Sequence, residues 1–148
     1  LLRFNGPLGT FFLRGLDQLH LVFLATGTGI APVKAMLESL VHIAPEQAPQ
    51  SVTVFWGGRT AEDLYFDPQA ILAGHRFVPV LSRAAEGWAG VSGYVQNALL
   101  STQPDLARTV VYACGSNAMI RSAKASLLAV GLPDNRFFAD AFVPSAPQ

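Results

Sequence analysis

Four runs of the chain are apolar almost without interruption: "HLVFLA" (20–25), "SVTVFWG" (51–57), "RFVPVLS" (76–82) and "TVVYAC" (109–114). Each is short, rich in β-branched and aromatic residues, and largely free of the polar alternation of a half-exposed strand. That is the pattern of strands covered by helices on both faces. The segments between them change rhythm and predict helices over 31–41, 68–73, 93–100 and 116–130. In the last, Met119 or Ile120, Ala123, Leu127 and Val130 recur at helical spacing, and Gly131 with Pro133 supplies a stop. "RFFADAFV" (136–143) predicts a final short strand. Strands alternating with helices imply an α/β fold: a doubly wound parallel sheet of about five strands with helices on both faces.

Ahead of this pattern, "LLRF", "NGPLG" and "TFFLR" read as strand, turn and strand, a hairpin or a sheet edge. "APEQAPQ" (44–50) is a surface connector, and no internal repeat is evident. The chain opens on Leu1 and is expected to be part of something longer.

At 148 residues and 51% hydrophobic, the chain suits one domain with a substantial buried core. Its formal net charge is zero and no basic stripe appears, which argues against a nucleic-acid partner. The apolar runs break well before the roughly 18 residues of a membrane span. No secretory signal is visible. The single cysteine, Cys114, excludes an internal disulfide and fits a reducing compartment, so a cytoplasmic location is expected.

The chemistry concentrates where "HLVFLA" runs into "TGTGIAP". Gly27 and Gly29 fall at the carboxyl end of a strand, where open α/β sheets bind ligands. The helix that follows presents unpaired N–H groups and a positive dipole end to an anion. Pro32 is tolerated in a first helical turn, but it occupies the place of the third glycine in the dinucleotide fingerprint. A P-loop is excluded, because Lys34 follows Val33 and no Ser or Thr follows it. Taken alone, the loop fits a structural turn as well as a nucleotide site.

In its surroundings, however, "TGTGIAP" resembles the nicotinamide loop of the ferredoxin–NADP reductase family, which carries proline at this point. Other segments follow that family in order. "GPLGTFFLR" (6–14) is similar to the end of its flavin domain, "VFWGGR" (54–59) to its second nucleotide-domain strand, and "GWAGVSGYV" (87–95) to its third loop. "VYACGSNAMI" (111–120) resembles its Y-x-C-G-x-x-x-M motif, and "FFADAFV" (137–143) its C-terminal flavin-facing segment. "WGGR" and the "DAF" ending lean toward 3,4-glucoseen reductases of dideoxysugar synthesis and toward NAD(P)H–flavin reductases. Reductase components of oxygenases are the broader relatives.

The resemblance implies two parts: residues 1–14 as the remnant of a flavin-binding β-barrel, and 15–148 as an NAD(P)-binding domain. It implies NADH or NADPH as cofactor, held by Gly27, Thr28, Gly29 and Pro32, by Arg59, Ser82 and Arg83, and by Cys114, Gly115, Ser116 and Met119. FAD would serve in the intact parent protein, mostly bound outside this chain. Cys114, Asp140 and Phe142 would be the catalytic group beside the reacting rings, Cys114 through shape and polarisability. Each has a plainer reading from the residues: Thr28 as a helix cap, Cys114 and Met119 as core, Phe142 as a buried edge-strand residue, Arg59 in a salt bridge, Ser82 and Arg83 as solvated loop. The implied partners are an N-terminal flavin-binding domain and a [2Fe–2S] domain or electron-acceptor protein. The family's R-x-Y-S/T flavin-phosphate motif is absent here, as are four cysteines for a cluster, so this chain can supply only the nicotinamide half. The competing class is a module that binds a dinucleotide and catalyses nothing. His20, His42 and His75 show no metal-ligand spacing, and "GVSGY" is not a hydrolase elbow.

Overall fold

The computed structural model describes residues 16–71 and 74–141. The strands are β1 (His20–Thr26), β2 (Ser51–Gly58), β3 (Arg76–Leu81), β4 (Val91–Ser92), β5 (Thr109–Gly115) and β6 (Phe137–Ala141). The α-helices are α1 (Ile30–Leu40), α2 (Val95–Ser101) and α3 (Asn117–Ala129). All six strands join one parallel sheet in the order β4-β3-β2-β1-β5-β6. The chain walks outward from β1 to β4, then crosses back to place β5 on the other side of β1. The switch point of the sheet therefore lies between β1 and β5.

Alternation along the strands divides the core into two layers, because successive side chains point to opposite faces. Leu21, Phe23 and Ala25 of β1, Val54 and Trp56 of β2, and Val110, Tyr112 and Cys114 of β5 meet α1. Val22, Leu24, Phe55, Val111 and Ala113 point the other way and meet α2 and α3. β5 is buried at all seven positions and β1 at its five central ones. The apolar runs of β1 and β5 are continuous for this reason: both faces of each strand are covered.

The helices are set by their buried stripes. α1 buries Ile30, Val33, Met36, Leu37 and Leu40, with Pro32 in its first turn, where no N–H is required. α3 buries Met119, Ala123 and Leu127 at a spacing of four. It is capped by Ser116, whose hydroxyl accepts the Met119 N–H at 3.1 Å. Gly131, at φ 114°, ends it in a left-handed turn, and the Leu132 N–H closes onto the Leu127 carbonyl at 3.0 Å.

Three sequence expectations change. The sheet has six strands rather than about five, because the loop after β3 contributes the two-residue β4, too short and exposed to announce itself by apolar pattern. The helix expected over 68–73 is a 3-10 turn at Pro68–Ala70, with residues 72 and 73 outside the described set. Asp67 accepts the Gln69 N–H at 2.9 Å and Pro68 fixes the first turn, but Gly74 at φ 88° follows within a turn and leaves no room to propagate. Val130, expected on the buried stripe of α3, is the helix's C-cap and is exposed. The strand pair expected within 1–14 lies outside the described residues.

The central strands carry the stability. Phe23 is fully buried and stacks on Tyr112 with ring centroids 5.8 Å apart. Phe23→Ala is expected to lower unfolding free energy by about 3–5 kcal/mol in a urea titration. A loss under about 1 kcal/mol would show that β1 is not the centre of the core.

Candidate functional site

The loops leaving β1 and β5 are packed against each other without slack. After Thr26 the chain makes a single 3-10 turn, Gly27–Gly29, and enters α1. Gly27 stands at φ 54°, where a side chain is disfavoured. A Cβ on Gly29 would strike the Cys114 carbonyl oxygen, and one on Gly115 the Thr26 hydroxyl. Neither clash can be relieved by rotating a long side chain. Gly29 and Gly115 therefore let two backbones touch at the switch point.

From this contact a cleft of about 1190 Å³ opens along the carboxyl edge of the sheet. Its wall follows the ends of β1, β2, β3 and β5 and the first turns of α2 and α3, at Val95–Asn97 and Asn117–Met119. Gly57 brings α2 close, since a Cβ there would lie 2.9 Å from Val95 Cγ1. Within the cleft wall Gln96 is 95% buried, being only 5% exposed. Its Nε2 donates to Ser122 Oγ at 2.9 Å, while its Oε1 has no hydrogen-bond partner among the described residues. A buried carbonyl oxygen left unpaired costs free energy.

Of the residues singled out from sequence, Gly27, Thr28, Arg59, Ser82, Gly115, Ser116 and Met119 line this cleft. Thr28 is exposed and caps no helix, because α1 starts from Gly29 without a side-chain cap. Arg59 is exposed at the end of β2 and makes no salt bridge among the described residues. Its backbone N–H donates to Asp63 Oδ2 at 2.8 Å in the turn that follows. Met119 is buried in the α3 core layer and also reaches the cleft wall.

Gly29, Pro32, Arg83, Cys114 and Asp140 are not part of that wall. Gly29 and Cys114 form the floor contact behind it. Arg83 is exposed and joined to the end of β2 through its backbone N–H, which donates to the Arg59 carbonyl at 2.9 Å. Cys114 and Asp140 sit side by side as register partners on β5 and β6. Phe142 lies outside the described residues.

Sequence reasoning missed Tyr65, Glu62 and Asp63 on one side of the cleft, and Tyr94, Gln96, Asn97 and Ser122 on the other. Tyr65 and Tyr94 are 64% and 62% exposed, two aromatic rings held at the cleft without being buried. The signal was present in "GYVQN" (93–97), where glutamine and asparagine stand in the first turn of α2. Among the described residues no group of three His, Cys, Asp or Glu is placed to hold a metal ion, and no helix is long and apolar enough to cross a membrane.

Burial pushes the Cys114 thiol up to about 12, with the Asp140 charge adding to the shift. At neutral pH it is a thiol and not a thiolate, which removes it as a nucleophile and leaves its shape and polarisability.

A family model described as the oxidoreductase NAD-binding domain matches residues 23–125. The chain is 44% identical over 149 residues to the CDP-6-deoxy-L-threo-D-glycero-4-hexulose-3-dehydrase reductase of Yersinia pestis, covering 98% of this chain and 44% of that protein. It is 30% identical to the anthranilate 1,2-dioxygenase electron transfer component of Acinetobacter baylyi, covering 95% of this chain and 41% of the relative. The chain thus spans less than half the length of these relatives. Among solved structures, an Amycolatopsis cytochrome P450 reductase superposes with a TM-score of 0.73 at 24% identity, over 87% of this chain and 39% of that one. That likeness shows the fold.

The Cys114 environment predicts alkaline behaviour. The folded thiol titrates above the ordinary value of 9.0, so its contribution to stability is complete below pH 9.0 and is lost as pH rises toward about 12. Urea midpoints measured across that window should fall more steeply for the parent chain than for Cys114→Ser. Maleimide should label the folded chain far more slowly than the unfolded one; equal rates would mean the thiol is accessible and ionisable.

Proposed function

The chain belongs to the oxidoreductase NAD-binding domain family, of the ferredoxin–NADP reductase type, and from that membership we propose that it is the nicotinamide-binding half of a flavin-dependent reductase. The observation that carries the proposal is the switch-point cleft, floored by two glycines that admit no side chain. At about 1190 Å³ its volume lies just above the roughly 300–1,000 Å³ of small-molecule sites, as suits an extended ligand such as a dinucleotide.

The residues fit that ligand. Gly27 and Thr28 offer a backbone turn that a phosphate can approach closely, and the first turn of α3 lines the cleft beside them. Arg59 is available for an anion, and Tyr65 and Tyr94 present ring faces to a base. When bound, the reduced nicotinamide supplies a hydride. Cys114, buried and uncharged behind Gly115, adds bulk without competing as a nucleophile. Ser82 at the end of β3 remains a candidate ribose contact; Arg83, outside the wall, is a weaker candidate for a 2′-phosphate.

We assign FAD to an N-terminal flavin-binding domain of the parent protein, because the chain spans less than half of its reductase relatives, with Asp140 and Phe142 closing its nicotinamide side. Electrons would pass on to an iron–sulfur centre, an acceptor protein or free flavin in the cytoplasm. The 44% identity to a sugar-dehydrase reductase favours an acceptor of that class over an oxygenase.

Two outcomes are expected of the purified chain. Calorimetry should show saturable binding of NADH or NADPH, and the protein should be colourless and inactive in a diaphorase assay without added flavin domain. Orientation supplies much of the rate of such a transfer, and no acceptor is positioned here. A stoichiometric yellow chromophore, or turnover near the roughly 10 s⁻¹ of a complete enzyme, would place the flavin on this chain instead.

A further inference from the structure

We propose that Thr26 is a positioning residue for the cleft, setting the separation of the β1 and β5 loops through its side-chain hydroxyl. The inference rests on reading the cleft as a dinucleotide site. β1 and β5 pair in register from His20 opposite Thr109 to Ala25 opposite Cys114, where the ladder stops. One residue further, Thr26 Oγ1 accepts the N–H of Ser116 at 3.3 Å. The side chain thus supplies the acceptor that the diverging backbones no longer provide.

The position of Thr26 makes this specific. It is the N-cap of the Gly27–Gly29 turn, yet its side chain makes no capping hydrogen bond there. A threonine at such a place ordinarily serves its own turn. Here the hydroxyl is aimed across the gap at the residue that caps α3, and Ser116 Oγ in turn accepts the Met119 N–H at 3.1 Å. Two hydrogen bonds therefore run in series from the end of β1 to the first turn of α3. The methyl faces the other way, toward β2: a Cβ on Gly57 would lie 3.5 Å from Thr26 Cγ2. Thr26 lines the cleft between these two neighbours. Contact between Gly29 and Cys114 stops the loops from approaching further, and the Thr26 hydroxyl stops them from parting. Any ligand that touches both loops then meets a site already at its working width, and does not spend binding energy holding it there.

The test uses the full 148-residue chain with NADH as the probe, and reads three quantities for each variant: affinity by calorimetry, hydrogen exchange of the Ser116 amide without ligand, and melting temperature. Thr26→Val keeps the branched shape and deletes the acceptor; Thr26→Ser keeps the acceptor and deletes the methyl. Thr26→Val is expected to weaken NADH binding by about 5- to 10-fold, the effect of one lost hydrogen bond, and to expose the Ser116 amide to exchange. Thr26→Ser should stay within about two-fold of the parent. If valine does not pack, the difference between Thr26→Ser and Thr26→Ala isolates the hydroxyl in the same way. Unchanged affinity in Thr26→Val or Thr26→Ala, with Ser116 deprotected, overturns the positioning role while leaving the dinucleotide site standing. Equal losses in serine and valine would assign the effect to packing and also overturn it. Failure of the parent chain to bind either NADH or NADPH would overturn both this inference and the functional reading beneath it.

Discussion

The molecule depends on one steric fact: at the switch point of the sheet, the backbone leaving β1 and the backbone leaving β5 touch. Gly29 lies against the Cys114 carbonyl and Gly115 against Thr26, in each case with no room for a Cβ. From that contact the two helices diverge to opposite faces, α1 into one core layer and α3 into the other. The cleft is what the divergence leaves open. A parallel sheet that reverses its strand order must open such a crevice, and the glycines determine how tightly its floor is drawn.

The same contact explains the electrostatic character of the floor. Cys114 is sealed beneath it at 2% exposure, next to Asp140, and so holds its proton at physiological pH. The wall above combines backbone, hydroxyls and amides with the apolar side chains of Val95 and Met119 and the rings of Tyr65 and Tyr94, and its charged side chains are confined to the end of β2 and the turn that follows, at Arg59, Glu62 and Asp63. Asp63 already accepts the Arg59 and Thr60 N–H groups in a capping box. A site of this kind positions a ligand through many short-range contacts and contributes no nucleophile of its own, which suits a domain that presents a cofactor to a reaction partner.

Much of this was legible in the chain. The four apolar runs became β1, β2, β3 and β5 within one or two residues, because strands covered on both faces must be apolar throughout. Gly29 and Gly115 were legible because a close backbone approach admits only one residue type, and Gly27 because its φ of 54° favours glycine. What escaped was set by tertiary distance. Nothing local marks Val91 and Ser92 as a strand, since β3 alone gives them a partner. Gln96 and Ser122 are 26 residues apart and meet only when α2 and α3 pack. Tyr65 and Tyr94 look like ordinary exposed aromatics until β2 and α2 bring them to one cleft. Arg83, placed after β3, stands exposed beside the wall with its backbone N–H on the Arg59 carbonyl.

The most direct measurement of the central claim is the amide shift map of the chain titrated with reduced nicotinamide dinucleotide. The account predicts saturable shifts at Gly27–Gly29 and at Gly115–Met119 together, because both loops meet at the floor of one cleft. Shifts confined to the amino-terminal edge of the sheet, around Gln50, Ser51 and His75 where a smaller cavity lies, would contradict it.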